Sequence, residues 1–300
     1  MEGVMHHLFC AAVAELKLVS GWMTPFIRIS VSVPGHKAIY RFLEPFLGYD
    51  LPVVVQLLGS DHRKIADAVA SILEFDVAGI DLNFACPSKR VVQHGGGGAM
   101  LKNSDAMRRI ISTLRERYPQ ITLSAKIRTG FDSPLEMHSY IPDLCSCGVD
   151  FLSVHYRTVS ELYNPSPDRR ERMNTAAQLS SVPIFGSGDV YSINDAIELL
   201  QSGCSGVMGA RGWLKDPLLL KRIQYINSPN SPTLPTPEDA RNILFDSMRS
   251  IAKNNPSQFR ARSSFMEIAA FMWGHRSQRF QQIKNMSDSD LMGERSLPLG

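Results

Sequence analysis

Cysteine is scarce in this 300-residue chain: there are five, and only Cys145 and Cys147 lie close together, as C-x-C. That is far below disulfide-scaffold density and lacks the C-x-x-C spacing of zinc fingers. A reducing, cytoplasmic setting with free thiols is expected, and a metal centre is not. Long apolar runs are missing as well, since none approaches the roughly 18 residues that would suggest a membrane span. The short apolar stretch at 8–14 follows Glu2 and has no Lys or Arg before Lys17, the reverse of a secretory leader. No charge of one sign dominates: Lys plus Arg number 32 against 29 Asp plus Glu, a formal net charge of +3. The whole chain therefore gives no strong polyanion signal, although charge can still be concentrated locally. Solenoid repeats and low-complexity segments are absent. What is present is 44% hydrophobic and 20% charged residues, enough for a large core and too apolar for a disordered chain.

Two periodicities alternate through the middle of the chain. Residues 51–58 read as a buried strand ended by Gly59, and Ser60 caps a helix with Ile65, Val69, Ile72 and Leu73 on one face. Residues 78–84 form the next strand, and Ser104 caps a helix carrying Met107, Ile110, Ile111 and Leu114. Strands follow at 121–127, 149–154, 182–185 and 205–208, and 17–23 supplies one more candidate. A helical stretch covers about 134–147, and another helix lies between a Ser192/Asp195 capping box and Gly203. This β-α repetition with short connections predicts an α/β fold with a parallel sheet. Gln56, Asn83, Lys126 and His155 each stand at or just beyond the C-terminal end of a strand. That is the rim on which a (β/α)₈ TIM barrel builds its active site, so a barrel is expected rather than a doubly wound sheet. After Ile226 the pattern changes. Residues 227–237 hold four prolines in eleven positions and read as a linker, and only helical patterns follow. The expected organisation is a catalytic barrel over 1–226, the linker, and a small all-α domain over 238–300.

Several residues stand where chemistry is done. Cys86 directly follows a strand, in the run Asn83-Phe84-Ala85-Cys86-Pro87-Ser88-Lys89. A lone Cys is ordinarily a small buried hydrophobe, but Pro87 forces a turn here and Lys89 is near enough to favour a polarised thiol. Gly95–Gly98, after His94, fit either a loop closing over a ligand or a plain connector. Gly186-Ser187-Gly188-Asp189 and Gly209-Ala210-Arg211-Gly212 end two consecutive strands. Such loops after the last two strands are this barrel's recurring phosphate site, and Arg211 adds a bidentate charge. Lys126, Arg128 and His155 are polar residues in apolar strands. The lysine fits a structural ion pair or an ammonium beside an electron-rich ring; the histidine fits a core residue or a substrate contact.

Val55-Gln56-Leu57-Leu58-Gly59 and Asp81-Leu82-Asn83-Phe84-Ala85-Cys86-Pro87-Ser88-Lys89 resemble the signature of the flavin-dependent tRNA-dihydrouridine synthases. The similarity continues through Ser124-Ala125-Lys126-Ile127-Arg128-Thr129-Gly130, Val154-His155-Tyr156-Arg157-Thr158 and Gly188-Asp189, and it covers essentially the whole chain. Pro-Ser-Lys after the Cys and the glycine run look most like the bacterial C-type branch, which acts on uridine 16 of the tRNA D-loop. The resemblance implies a TIM barrel binding FMN, followed by a helical tRNA-binding domain. It implies that NADPH reduces the flavin, that flavin N5 gives hydride to C6 of uracil, and that Cys86 protonates C5 as general acid. Gln56, Lys126 and His155 match flavin-ring and ribityl contacts, and Asn83 matches the residue that positions flavin or substrate. Ser187, Gly188, Asp189, Ala210 and Arg211 match the FMN phosphate site.

The chain also departs from the pattern. Ser187 stands where the family usually has Asn, Ala210 where it has Gly, Tyr156 for a small residue, and Val92 for an Asn. Pro25 occupies a position that is often acidic. Met1-Glu2-Gly3-Val4 looks like the end of the family's Ala-Pro-Met-Glu-Gly-Val opening, so the first strand is read as shortened, and restoring apolar residues ahead of it is expected to raise stability and bound FMN. From 249 to 284 seven Lys or Arg face one acid, Glu267, and Arg260, Arg262 and Arg276 are the expected tRNA contacts. An active monomeric synthase is the leading reading. The alternatives are a drifted tRNA-binding homologue without catalysis and an FMN barrel acting on free pyrimidines, against which the helical segment argues.

Overall fold

The computed structural model describes residues 4–226, 228, 232–255 and 261–291. After α1 (His7–Glu15), strands alternate with helices: β1 (Trp22–Arg28), α2 (His36–Leu43), β2 (Val53–Leu58), α3 (His62–Ile72), β3 (Gly79–Asn83), a short α4 (Lys89–Val92) and α5 (Ser104–Arg117). The alternation continues with β4 (Thr122–Arg128), α6 (Met137–Ser146), β5 (Phe151–His155), α7 (Arg169–Leu179), β6 (Ile184–Ser187), α8 (Ile193–Gln201), β7 (Gly206–Met208), α9 (Arg211–Lys215) and α10 (Leu219–Gln224). Four further helices follow among the described residues: α11 (Pro237–Asn254), α12 (Ala261–Trp273), α13 (Gln278–Lys284) and α14 (Asp288–Leu291).

β1 to β7 form one parallel sheet in chain order, each strand paired with the next. This is the TIM-barrel arrangement, with seven strands among the described residues. Among the described residues β1 and β7 do not pair with each other, so the sheet they form has two edges along one seam. Met1, Glu2 and Gly3, read above as the remnant of a first strand, lie outside the described residues, as do 227, 229–231, 256–260 and 292–300; Val4 is buried. The strand register sets the site. Gln56, Asp81 and Ser124 are neighbours across β2, β3 and β4; Asn83, Lys126 and Ser153 across β3, β4 and β5; Arg128, His155 and Ser187 across β4, β5 and β6. Parallel partners in register point to the same face, so these rows face the barrel interior together.

The helices bury the faces that the 3.6-residue period marked: Ile65, Val69 and Ile72 on α3, and Met107, Ile110, Ile111 and Leu114 on α5. Their caps lie one residue away from the expected positions. Asp61, not Ser60, accepts from the Arg63 and Lys64 N–H groups, and Asn103, not Ser104, accepts from the Ala106 N–H. The Ser192/Asp195 capping box and the stop at Gly203 (φ +86°) stand as expected. The stretch at 134–147 divides into a 3₁₀ turn, Pro134–Glu136, with its own Ser133/Glu136 capping box, and then α6. The strand expected at 17–23 is displaced to β1, which runs through Pro25 at a register shift against β2. An edge strand tolerates a proline at such an irregularity because no neighbour needs its N–H. α11 packs on α1 and α12 on α9, and Leu244, Phe245, Phe265 and Ile268 join the same buried cluster as the barrel residues. Among the described residues no helix is long and apolar enough to cross a membrane.

Candidate active site

A cavity of about 750 Å³ opens at the C-terminal rim and runs down the barrel interior. Gln56, Asn83, Cys86, Lys126 and His155, each from a different strand end or loop, all line it. A second cavity of about 470 Å³ lies beside it, lined by Ser187, Gly188, Asp189, Ala210 and Arg211. Lys126, His155, Tyr163, Met208 and Ala210 line both, so the two are one elongated space. Both volumes fall in the range of cofactor sites, roughly 300–1,000 Å³. All the barrel residues proposed from sequence thus converge on one place.

Cys86 is held by its backbone. Its N–H and that of Ala85 donate to Asn83 Oδ1 at 3.0 and 3.1 Å, and its carbonyl accepts from the Gly98 N–H at 2.9 Å. Arg128, buried in the barrel, donates from Nε to the Ala85 carbonyl at 2.9 Å and from Nη1 to the carbonyls of Thr158 and Leu162, tying the loops after β3 and β5 together. The glycine run is neither an open flap nor a plain connector. Gly97–Lys102 form a 3₁₀ turn, and Gly96, Gly97 and Gly98 are buried. Gly97 takes φ +55°, and a Cβ there would come within 2.9 Å of the Cys86 Cβ, so the glycine permits the close approach that fixes the cysteine. His94 is exposed on this loop, with Nδ1 2.7 Å from the Arg90 carbonyl. Lys89 is exposed on α4, whereas Lys126 and Arg128 line the cavity together with Cys86.

Lys126 is half-buried and, among the described residues, forms no salt bridge, although Asp81 is near enough to act on it electrostatically. Burial and the nearby Arg128 pull its pKa down to about 8, against the opposing pull of Asp81 and Cys86. His155 is neutral: burial first, then Lys126, Arg128, Arg157 and Arg211 push its pKa far below the ordinary imidazole value. Its Nδ1 accepts from the Arg157 N–H at 3.2 Å, which leaves the ring proton on Nε2, available as a donor. Tyr156 is buried, stacked against His155 with ring centroids 5.5 Å apart, and donates to Asp189 Oδ2 at 3.1 Å. Arg157 also pairs with Asp189 Oδ2, and Arg211 Nη2 reaches Asp189 Oδ1 at 3.0 Å. Although burial raises the Asp189 carboxyl, Arg157, Tyr156 and Arg211 together hold it below the usual carboxylate range. Gly188 takes φ +109°, and a Cβ there would meet the Tyr156 ring at 2.7 Å. The loop therefore needs glycine at this point, beside the exposed Arg211.

Residues 1–294 match the family described as Dihydrouridine synthase (Dus). The chain belongs to the dihydrouridine synthase family. It is 40% identical over 240 residues to the tRNA-dihydrouridine(16) synthase of Neisseria meningitidis serogroup A, covering 76% of this chain and 70% of that one. It is 32% identical over 228 residues to the protein of the same name from Vibrio cholerae, covering 73% and 70%. Among solved structures it resembles morphinone reductase in complex with tetrahydroNAD, with a TM-score of 0.52 at 12% identity, over 77% of this chain and 85% of that one. A variant of NCR from Zymomonas mobilis gives 0.53 at 13% identity, over 80% and 88%. These likenesses share the barrel.

For this dihydrouridine synthase family member the structure adds residues that the sequence reading passed over. Asp81 is fully buried and bonded to Gln56, and Ser153, a residue of the cavity wall, has a buried hydroxyl without a hydrogen-bond partner among the described residues. Tyr163 lies over the guanidinium groups of Arg128 and Arg211. A charged residue in the middle of the 78–84 strand, between Ile80 and Leu82, was the available signal for Asp81. The basic helical residues are not equivalent. Arg276 is exposed, whereas Arg262 pairs with Asp288 at 2.9 Å and donates to the carbonyls of Met286 and Lys284, closing the end of α13. Arg249 is buried against Asp246 and α14, and Arg260 lies outside the described residues.

Proposed function

We propose that this chain reduces a uridine of the tRNA D-loop, at position 16, to 5,6-dihydrouridine, with FMN as its bound flavin and NADPH as reductant. The observation that carries this reading is the convergence of Gln56, Asn83, Cys86, Lys126 and His155 on one rim cavity in a dihydrouridine synthase. The names of the relatives support the position. The site fits a flavin mononucleotide. Ser153, whose buried hydroxyl has no hydrogen-bond partner among the described residues, belongs to the wall of the wide cavity, whose largely apolar lining suits a ring, and the narrower cavity beside it is lined by Gly188 and Arg211, which suit a phosphate. Gln56, Lys126 and His155 would hold the ring and ribityl chain, and Ser187, Gly188, Asp189, Ala210 and Arg211 the phosphate end. When bound, the flavin supplies the hydride.

The chain's own residues do the rest. The Lys126 ammonium favours negative charge on the group beside it, and neutral His155 donates from Nε2. Asn83 fixes the turn that presents Cys86, whose thiol holds the proton delivered to C5 of the uracil. A uracil reaches this rim only after leaving its stack, so the enzyme must take the base extruded from the tRNA fold. Residues 1–226 are assigned to catalysis, 227–237 to the connection and 238–300 to holding the RNA through basic residues that include Arg260, Arg262 and Arg276. The enzyme is read as a monomer, and its free thiols suit a reducing, cytoplasmic setting. The test is to release and identify the flavin of the purified protein, then map dihydrouridine in unmodified tRNA after reaction with NADPH. Absence of flavin binding and of dihydrouridine overturns the function; product at another position overturns only position 16.

A further inference from the structure

Asp81 sits at the centre of β3, flanked in register by Gln56 and Ser124, and has no part in the roles given above. Its carboxylate accepts twice: Oδ1 from Ser124 Oγ at 2.6 Å and Oδ2 from Gln56 Nε2 at 2.7 Å. From Gln56 the bonds run on in one direction. Gln56 Oε1 accepts from Asn83 Nδ2 at 2.8 Å, and Asn83 Oδ1 accepts from the N–H groups of Ala85 and Cys86. A side-chain amide has one donating and one accepting end, and either can face a given neighbour. Here both ends of the relay are fixed. Backbone N–H groups can only donate, and the carboxylate oxygen facing Gln56 can only accept. A proton on Asp81 would not alter this, because it would go to Oδ1 and Ser124 Oγ can accept it.

We propose that Asp81 is a positioning residue of the reductive site, setting the donor–acceptor polarity of Gln56 and Asn83 and thereby the edge they offer the flavin and the uracil. The proposal rests on the assignment of Gln56, Asn83 and Cys86 made under Proposed function. With the relay in this direction, one N–H of Asn83 and one lone pair of Gln56 Oε1 are left for the cavity, while the other Gln56 N–H faces Met23 Sδ at 3.9 Å. Inverting Gln56 would set two amide N–H groups against each other at Asn83 and reverse the pattern shown to a ring edge. Asn83, held by two backbone N–H groups, opposes that inversion from one end, and the acceptor at position 81 opposes it from the other; an apolar side chain there removes the second restraint and leaves a Gln56 N–H without its partner.

The experiment compares Asp81→Asn with Asp81→Leu in the full chain. Asn removes the charge but keeps an acceptor toward Gln56 by turning its own N–H groups to Ser124 Oγ. Leu removes the acceptor. The readouts are the FMN dissociation constant, the visible absorption band of the bound flavin, kcat and KM for uridine reduction, and the side-chain amide NMR signals of Gln56 and Asn83 in flavin-free protein. Asp81→Asn is expected to stay within about threefold of wild type in affinity and kcat, with dispersed, slowly exchanging amide signals. Asp81→Leu is expected to lose about tenfold to a hundredfold in FMN affinity or kcat, to shift the flavin band and to lose the amide dispersion. Equal damage in both variants would mean that the charge acts, as a counter-ion of Lys126, and would overturn the proposal; so would an undamaged Leu variant. If Asp81→Leu does not fold, Asp81→Asn is combined with Ser124→Ala, which strips the Asn of its second partner. A loss greater than the sum of the two single losses is expected, and additivity overturns the proposal. A wild-type protein without flavin or product would defeat the function instead, and the amide signals would still decide the role of Asp81.

Discussion

At the residue scale, Cys86 is positioned, among the described residues, without a hydrogen bond to its sulfur: its N–H, its carbonyl and the preceding carbonyl are the anchored groups. Cys86→Ala is therefore expected to keep the melting temperature, FMN binding and flavin reduction by NADPH near wild type, while dihydrouridine formation falls about 10²- to 10⁴-fold. Single-turnover assays on tRNA check this, and retention of more than roughly a third of the activity would sink the general-acid role. Lys126 yields a pH prediction. Its folded pKa, about 8, is below the ordinary 10.5, so the ammonium is lost as pH rises through about 8. FMN affinity and uridine reduction should decline above that pH. Across the same window up to 10.5 the unfolded chain binds the proton that the folded site has released, so this group's contribution to stability rises with pH. Activity and melting temperature should thus move in opposite directions, and Lys126→Met should abolish the high-pH fall in affinity. Most of this site was legible as residue types at strand ends. The orphaned lysine was not, because a sequence shows a buried charge but not whether a partner meets it. Asp81 escaped notice because its partners lie on two other strands, brought alongside only by the register.

Among the elements, the sequence pattern located every strand from β2 to β7, because apolar runs between turn residues can hardly be anything else. It misplaced β1, where Pro25 interrupts the run and the irregular pairing that accommodates it cannot be inferred from one strand alone. The caps moved by one residue where two capping residues stand side by side: the Asp61 carboxylate reaches two N–H groups, and Ser60 precedes it. The glycine run was ambiguous in sequence because composition does not distinguish a mobile loop from one compressed against a neighbour. The loop after β6 offers a direct test of such compression. Gly188→Ala places a methyl 2.7 Å from the buried Tyr156 ring at φ +109°. It is expected to weaken FMN binding at least tenfold and to lower the melting temperature by several degrees, as fluorescence quenching and thermal unfolding would report. Normal affinity in that variant would remove this loop from the phosphate site.

On the scale of the whole molecule, a net charge of +3 conceals the concentration of basic residues in the last helices. Neutralising Arg260 and Arg276 to Gln is expected to weaken tRNA binding, to flatten its dependence on salt and to leave FMN content unchanged, since fewer counterions are released from the RNA. Arg262→Gln should behave differently, lowering the melting temperature as well, because its bonds close α13. Affinity that stays constant at low and high salt in the double variant would move the RNA to another face. Among the described residues the edges at β1 and β7 are unpaired, and this carries a further consequence. A ring of strands without ends must open cooperatively, whereas a sheet with ends can fray from them, so local unfolding should cost least at these two strands. Amide hydrogens of β3, β4 and β5 should then exchange only through global unfolding, and those of β1 and β7 much sooner. The large cavity is walled by Met23 on one edge strand and Met208 on the other. A cofactor held between them would bind only the unfrayed form, and its concentration would set how slowly both margins of the sheet exchange.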